Sequence, residues 1–134
     1  MSQMELRKPE AADGIAFHAL LQQCPPLEVN SVYCNLLQCT HFADTAVAAT
    51  SGDELVGFVS AYIPPREPNV LFLWQVAVAE AHRGKGLARH MLSELLAREE
   101  CATVQFIDVT ITPDNDTAWR MFRQFAYDRA IPTE

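Results

Sequence analysis

Apolar residues recur along the chain with two spacings, and each spacing predicts one kind of secondary structure. Runs with helical spacing predict helices over 11–23, from an N-cap at Asn30 or Ser31 to about 40, over 86–98 and over 115–125. Runs rich in β-branched and aromatic residues predict strands over 45–50, 55–63, 70–78 and 103–112.

The order of these elements predicts a mixed α/β fold. Residues 51–54 form a turn between two neighbouring strands, which makes those strands an antiparallel hairpin. The strand, helix, strand and helix that follow imply a right-handed crossover between parallel strands. The strand over 70–78 is apolar almost throughout, which is typical of a buried strand.

Length and composition fit one domain over residues 1–134. Hydrophobic residues make up 49% of the chain and charged residues 20%, an ordinary balance for a folded domain. The apolar runs are well short of the roughly 20 residues that cross a bilayer, and the first residues carry no apolar signal-peptide core. We therefore expect a cytoplasmic protein without a membrane partner.

Charge and cysteine usage argue against two further kinds of site. The net charge of −7 disfavours a nucleic-acid partner, because binding to the phosphate backbone is driven by Lys and Arg. Cys24, Cys34, Cys39 and Cys101 have no CxxC spacing, so we expect free buried thiols in a reducing compartment and no bound metal.

The segment Arg83-Gly84-Lys85-Gly86-Leu87-Ala88 lies between the buried strand and its helix and has the features of an anion site. The first amides of a helix have no partners within the helix, and the helix dipole favours negative charge there. The two glycines let the backbone approach a phosphate closely, and the two cations add positive charge. The spacing matches neither a P-loop nor a dinucleotide-binding loop.

The pattern R-x-x-G-x-A after Val76-Ala77-Val78 resembles the pyrophosphate motif of the GCN5-related N-acetyltransferase (GNAT) superfamily. This resemblance implies acetyl-CoA as co-substrate and a central mixed sheet with splayed parallel strands, flanked by helices. It also implies that backbone groups around Val76 and Val78 hydrogen-bond the pantetheine arm. Asn115, with Ala118 and Phe122, resembles the superfamily's next motif, which implies further cofactor contacts by Asn115 and Phe122.

Six segments in chain order resemble, more narrowly, the L-2,4-diaminobutyrate acetyltransferase family. They are Leu6–Pro9, Leu27–Cys34, His41–Thr45, Gly57–Tyr62, Leu73–Val78 and Thr110–Asn115. The resemblance implies acetylation of the 4-amino group of L-2,4-diaminobutanoate, giving N4-acetyl-L-2,4-diaminobutanoate. It implies a bacterial osmoprotective pathway, the biosynthesis of ectoine.

Two carboxylates are candidates for the general base or for a group that orients the amine. Glu28 lies before the second helix, where the superfamily usually contacts its acceptor and the family commonly has Asp; a surface glutamate is the alternative. Asp108 lies in a β-rich run, where a buried carboxylate needs a partner, although it equally fits an outward-facing strand position.

Four uncharged residues complete the candidate substrate site. Asn30 and Tyr33 follow Glu28, with a helix cap and a packed aromatic as their alternatives. Trp74 either walls the pocket and contacts an ammonium by a cation–π interaction or packs in the core. Thr110, like Thr112, is either a substrate contact or an ordinary strand residue.

The chain departs from the superfamily pattern in two residues and in length. Phe122 stands where many members have the Tyr that protonates the thiolate, and Gln75 stands where some relatives have a Glu as base. The general base is then expected to be Glu28, Asp108 or an ordered water. Only Ala126 to Glu134 follow Phe125, so the family's C-terminal strands are expected to be truncated and a homodimer is expected to cover that end of the sheet.

Two other functions stay open at this point. One is a GNAT acetyltransferase that acts on another small diamine or amino acid. The other is a catalytically silent acyl-CoA-binding domain, which the absent Tyr and the short tail favour.

Overall fold

The apolar, β-rich runs join into one five-stranded sheet in the computed structural model, which describes residues 4–111 and 113–128. The strands are β1 (Met4–Arg7), β2 (Val47–Ser51), β3 (Glu54–Tyr62), β4 (Val70–Val78) and β5 (Phe106–Val109). They lie in this order across the sheet; β1 to β4 pair antiparallel, and β4 pairs with β5 in parallel. The predicted hairpin, the parallel crossover and the mixed α/β class are therefore confirmed.

The helices of the described part are α1 (Asp13–Gln22), α2 (Val32–Cys39), α3 (Leu87–Leu96) and α4 (Asp116–Asp128). The Ser31 hydroxyl caps α2 by accepting from the Cys34 N–H at 3.0 Å, so Ser31 rather than Asn30 is the N-cap residue. The Asn115 amide oxygen accepts from the Ala118 N–H at 3.2 Å at the start of α4. None of the helices within residues 4–111 and 113–128 is long and apolar enough to cross a membrane.

The strands differ from the sequence prediction in three places: one strand was not predicted, and two have other ends. β1 is not predicted from the sequence, because its four residues carry too short an alternation; pairing with β2, with Arg7 opposite Ala48, forms it. The chain over 43–45 forms a short 3₁₀ turn, so β2 begins at Val47. β5 covers only part of the run over 103–112, because its pairing with β4 ends at Val109.

Helices cover both faces of the sheet. The Phe17 ring of α1 stacks on Phe58 of β3 with centroids 3.8 Å apart. The neighbouring residue, Gly57, faces the opposite side, where a β-carbon would lie 3.1 Å from both Leu87 and Met91 of α3. Adjacent residues of a strand point to opposite faces, so α1 and α3 pack on opposite sides of β3 and enclose the core.

β4 separates from β5 halfway along its length. The parallel pairing runs from Val70 to Leu73, and Trp74 is an extra residue of β4 opposite the step from Ser60 to Ala61. The rest of β4, from Trp74 to Val78, therefore lacks β5 as a neighbour. We call this segment the open half of β4; it confirms the splayed parallel strands implied by the superfamily resemblance.

Candidate functional site

A cavity of about 810 Å³ lies where β4 and β5 diverge. Its walls come from five segments: the loop after α1, the open half of β4, the turn before α3, the end of β5 and the inner side of α4. Pockets at the carboxyl ends of diverging parallel strands are common ligand sites in α/β proteins. The cavity is therefore the candidate active site.

The predicted phosphate loop forms one end of this cavity. Gly84 has φ +77° and Gly86 has φ +79°, which is the left-handed region that glycine adopts without strain. Gly86 is the N-cap of α3, and the first hydrogen bond inside the helix runs from the His90 N–H to the Gly86 carbonyl. The amides of Leu87 and Ala88 precede that bond and lie in the cavity wall, where they can bind an anion.

The two cations of the loop have different surroundings. Arg83 donates from Nε to the Val78 carbonyl and from Nη2 to the Gln23 carbonyl, each at 3.0 Å. Its guanidinium thus joins the end of β4 to the end of α1. Lys85 is exposed and, among the described residues, lies outside the cavity wall. The groups that the loop presents to the cavity for an anion are therefore backbone amides more than these two side chains.

The open half of β4 presents backbone groups to the cavity. The Ala79 N–H donates to Val56 of β3 at 2.8 Å, so the N–H groups of Val76 and Val78 point the other way, toward the cavity. The Val78 carbonyl already accepts from Arg83 and from the Cys24 thiol. Val76 thus offers both a donor and an acceptor, as an extended amide-containing ligand requires; Ala77, between them, also lines the wall.

Gln75 forms hydrogen bonds to the loop between α1 and α2, which carries the residues predicted to bind the amine substrate. Its Nε2 donates to the Glu28 carbonyl at 2.9 Å, and its Oε1 accepts from the Asn30 Nδ2 at 2.8 Å. The Glu28 side chain is exposed, and Asn30 uses its amide on Gln75 rather than as a helix cap. Sequence reasoning missed this role of Gln75, although a buried amide in a strand must have partners.

Trp74 lines the cavity and belongs to an aromatic group with Phe42, Tyr62 and Phe72. Its ring meets Tyr62 edge-on with centroids 5.8 Å apart and Phe42 with centroids 6.2 Å apart. Phe42 and Tyr62 were not among the predicted site residues. Their contacts with Trp74 fix the ring that walls the cavity beside the bulge of β4.

The remaining candidate residues are spread over the molecule. Thr110 and Phe122 line the cavity, whereas Asn115 serves as the cap of α4. Tyr33 is 69% exposed on α2. Asp108 is exposed on β5, while Ile107 and Val109 pack toward the core, so it takes the outward-facing position that was its alternative. Thr112 lies outside the described residues.

Three of the four thiols, those of Cys24, Cys39 and Cys101, are buried in the core, and Cys34 is partly buried. Burial raises the pKa of Cys39 to about 12 and also raises the pKa of Cys34 and of Cys101. All four cysteines are free, as the sequence predicts. Within residues 4–111 and 113–128, no group of three or more His, Cys, Asp or Glu side chains is arranged to hold a metal ion.

Comparisons with known proteins agree with this geometry. The Acetyltransferase (GNAT) family model matches residues 15–127. The chain is 53% identical over 121 residues to the L-2,4-diaminobutyric acid acetyltransferase of Methylotuvimicrobium alcaliphilum, covering 90% of this chain and 70% of that protein. It is 50% identical over 118 residues to the enzyme of the same name from Vibrio cholerae, covering 88% of this chain and 68% of that protein.

A solved structure extends the likeness to the whole described fold. The diaminobutyrate acetyltransferase from Paenibacillus lautus was solved in complex with its substrate L-2,4-diaminobutyric acid and coenzyme A. It superposes with a TM-score of 0.95 and 39% sequence identity, covering 98% of this chain and 80% of that one.

Proposed function

The chain belongs to the GNAT acetyltransferase family, and we propose that it transfers the acetyl group of acetyl-CoA to the 4-amino group of L-2,4-diaminobutanoate. The product would be N4-acetyl-L-2,4-diaminobutanoate, the precursor of ectoine. The main support for this proposal is the likeness to the Paenibacillus lautus enzyme, which was solved with this amino acid and with coenzyme A.

The described residues fit coenzyme A along the cavity. The amides at the start of α3 bind the pyrophosphate, and Gly84 and Gly86 let the loop approach it. The N–H of Val78 and the C=O of Val76 pair with the amides of the pantetheine arm, which extends beside the open half of β4. Acetyl-CoA supplies a thioester, which an amine attacks directly.

The amine must lose a proton before it attacks. Alkyl ammonium groups have a pKa of about 10, so the free base is scarce at neutral pH. In this proposal Glu28 attracts the ammonium and takes its proton directly or through water. Both side chains are exposed, but Glu28 lies on the loop that Gln75 bonds to the open half of β4, whereas Asp108 faces outward on β5, and this position favours Glu28.

Placement rather than basicity selects the 4-amino group. The α-amine of the substrate is the less basic of the two, so more of it is unprotonated at neutral pH. The site must therefore bind the α-amine and carboxylate away from the thioester and direct the terminal amine toward it. Trp74 walls this end of the cavity and favours an ammonium through its ring face.

Backbone donors stabilise the charge that develops during attack. The N–H group of Val76 points to the cavity and can donate to the oxyanion. Phe122, which lines the cavity, has no proton to donate, so the thiolate leaves as an anion or takes a proton from solvent.

The proposal extends to the setting of the enzyme. Four free cysteines suit a reducing compartment, which supports a cytoplasmic location. In the described ranges the outer edge of β5 pairs with no strand, and Phe106 beside it is 56% exposed. Both features support a homodimer that covers this edge.

Mass spectrometry of the reaction product tests the proposed function directly. Protein, acetyl-CoA and L-2,4-diaminobutanoate are incubated, and fragmentation assigns the acetylated nitrogen. We expect a single acetyl group on N4. Turnover of other diamines without turnover of diaminobutanoate would show that the substrate is another diamine. Binding of coenzyme A without turnover of any amine in a panel would show that the chain is a catalytically silent acyl-CoA-binding domain.

A further inference from the structure

Gln75 is 8% exposed on the open half of β4, and both ends of its amide bond the loop between α1 and α2. We call its bonds to the Glu28 carbonyl and to the Asn30 amide the Gln75 clip. Building on the proposed acetyl transfer, we propose that Gln75 is a positioning residue: the Gln75 clip holds the loop so that the acceptor amine meets the thioester.

The chemistry of the clip requires glutamine. One end of the amide donates and the other accepts, which matches a carbonyl oxygen at Glu28 and an NH₂ group at Asn30. An ionised glutamate at residue 75 has no donor for the Glu28 carbonyl and sets a buried negative charge against that oxygen. The position where some relatives have a catalytic Glu thus has a different task in this chain.

The two ends of the loop are anchored separately. Its start is tied to Val78, since the Cys24 thiol donates to the Val78 carbonyl at 3.4 Å and Arg83 joins that carbonyl to Gln23. Its end is tied to Gln75. Loss of the Gln75 clip therefore releases the Glu28 end of the loop, while the anchor beside the phosphate loop persists.

This separation predicts a selective kinetic effect. Glu28 is held through its own carbonyl, so the clip fixes the backbone from which its side chain extends. Without the clip, binding of the diamino acid must first order the loop. The acceptor KM then rises, whereas the affinity for coenzyme A stays the same because the amides of α3 are untouched.

The test uses Gln75→Met, which keeps the side-chain length without hydrogen bonds, and Asn30→Ala in the full chain. We expect each to raise the KM for L-2,4-diaminobutanoate about tenfold with a smaller change in kcat. Calorimetry should show the affinity for coenzyme A within about twofold of wild type and weaker binding of diaminobutanoate to the coenzyme A complex. The double variant should resemble Gln75→Met, since the two changes break a shared bond.

Ser31→Ala is the matched control, because it removes the cap of α2 on the same segment without touching Gln75. It should lower the melting temperature and leave KM unchanged, and Gln75→Glu should fail to restore the wild-type KM. Wild-type KM in both clip variants, or an equal rise in KM for Ser31→Ala, would overturn the inference. If Gln75→Met does not fold, Asn30→Ala decides.

The clip and the proposed function fail in different ways. A wild-type protein that acetylates another amine contradicts the proposed substrate, and the same KM comparison is then made with that amine. A wild-type protein without turnover of any amine overturns both. Wild-type turnover of diaminobutanoate with unaltered clip variants overturns the inference alone.

Discussion

At the scale of single residues, the conformation of Gly86 sets the direction of the first amides of α3, which bind the pyrophosphate in the proposed function. Its φ of +79° is a conformation that disfavours residues with a β-carbon, β-branched ones most of all. A β-carbon there would also lie 3.4 Å from the Arg89 guanidinium. A larger residue would therefore shift the backbone from which the first amides of the helix point into the cavity.

We predict that Gly86→Val weakens coenzyme A binding about tenfold or more, because the strain of about 1–3 kcal/mol is relieved by moving those amides. Isothermal titration calorimetry measures the loss. Gly52→Val is the matched control: its φ is +61°, nothing lies within 4 Å of the site of the new β-carbon, and it lies in the turn between β2 and β3. It should destabilise the fold similarly with wild-type affinity, and equal affinities in both variants would refute the assignment of the loop.

At the scale of elements, a bidentate salt bridge joins the end of β1 to the start of α1. Arg7 donates from Nη1 and Nη2 to the two carboxylate oxygens of Asp13 at 2.8 and 3.0 Å. The Glu10 N–H adds a third hydrogen bond to Asp13 at 2.7 Å. The pKa of Asp13 lies below its ordinary value of 3.8, and the largest cause is the hydrogen bonding from Arg7.

Asp13→Asn should therefore destabilise the protein in a pH-dependent way. Because the folded pKa of Asp13 lies below the unfolded value, its contribution is fully present above about pH 4 and is lost as pH falls through the folded pKa. We expect a loss of about 1–2 kcal/mol in the free energy of unfolding at pH 7, shrinking toward zero in acid, by urea titration. Asp44→Asn, at a highly exposed partner of Lys8, should cost under about 0.5 kcal/mol; equal losses would contradict the role of Asp13.

Elements with a long, uniform hydrophobic pattern were predictable from the sequence. Elements that exist only because they pair with a neighbouring strand were not. The nine residues of β4 were predicted without error because they are apolar almost throughout. β1 has four residues, too few to show a period, and β2 supplies the partner that makes it a strand. The end of β5 depends on where β4 turns away, which no local pattern records.

The site divides in the same way. The position of the loop over 83–88, between a strand and a helix N-terminus, was predictable because these elements are neighbours in the chain. The Gln75 clip was not, because its partners Glu28 and Asn30 lie 47 and 45 residues away along the chain. Sequence shows that Gln75 cannot be a base, and only the fold shows which groups its amide bonds.

At the scale of the whole molecule, the open half of β4 joins two different tasks. The phosphate loop follows the strand directly, while the α1–α2 loop is bound to it from across the sheet by Gln75 and Val78. In the proposed reaction, cofactor and acceptor therefore approach the same five residues from two sides. The divergence of β4 from β5 provides the room for both.

β5 is the last strand of the sheet in the described residues, and its outer edge gives the final prediction. In the ranges 4–111 and 113–128 no strand pairs with that edge, and Phe106, on the outward face of β5 beside it, is 56% exposed. We predict a homodimer through this edge, so Phe106→Glu should produce monomers in sedimentation velocity, because it buries a charge without a partner. Ile15→Glu, at a 74% exposed residue of α1, is the control and should remain dimeric. A monomeric wild type would contradict the dimer, and a dimeric Phe106→Glu beside a monomeric Ile15→Glu would move the interface to the α1 surface.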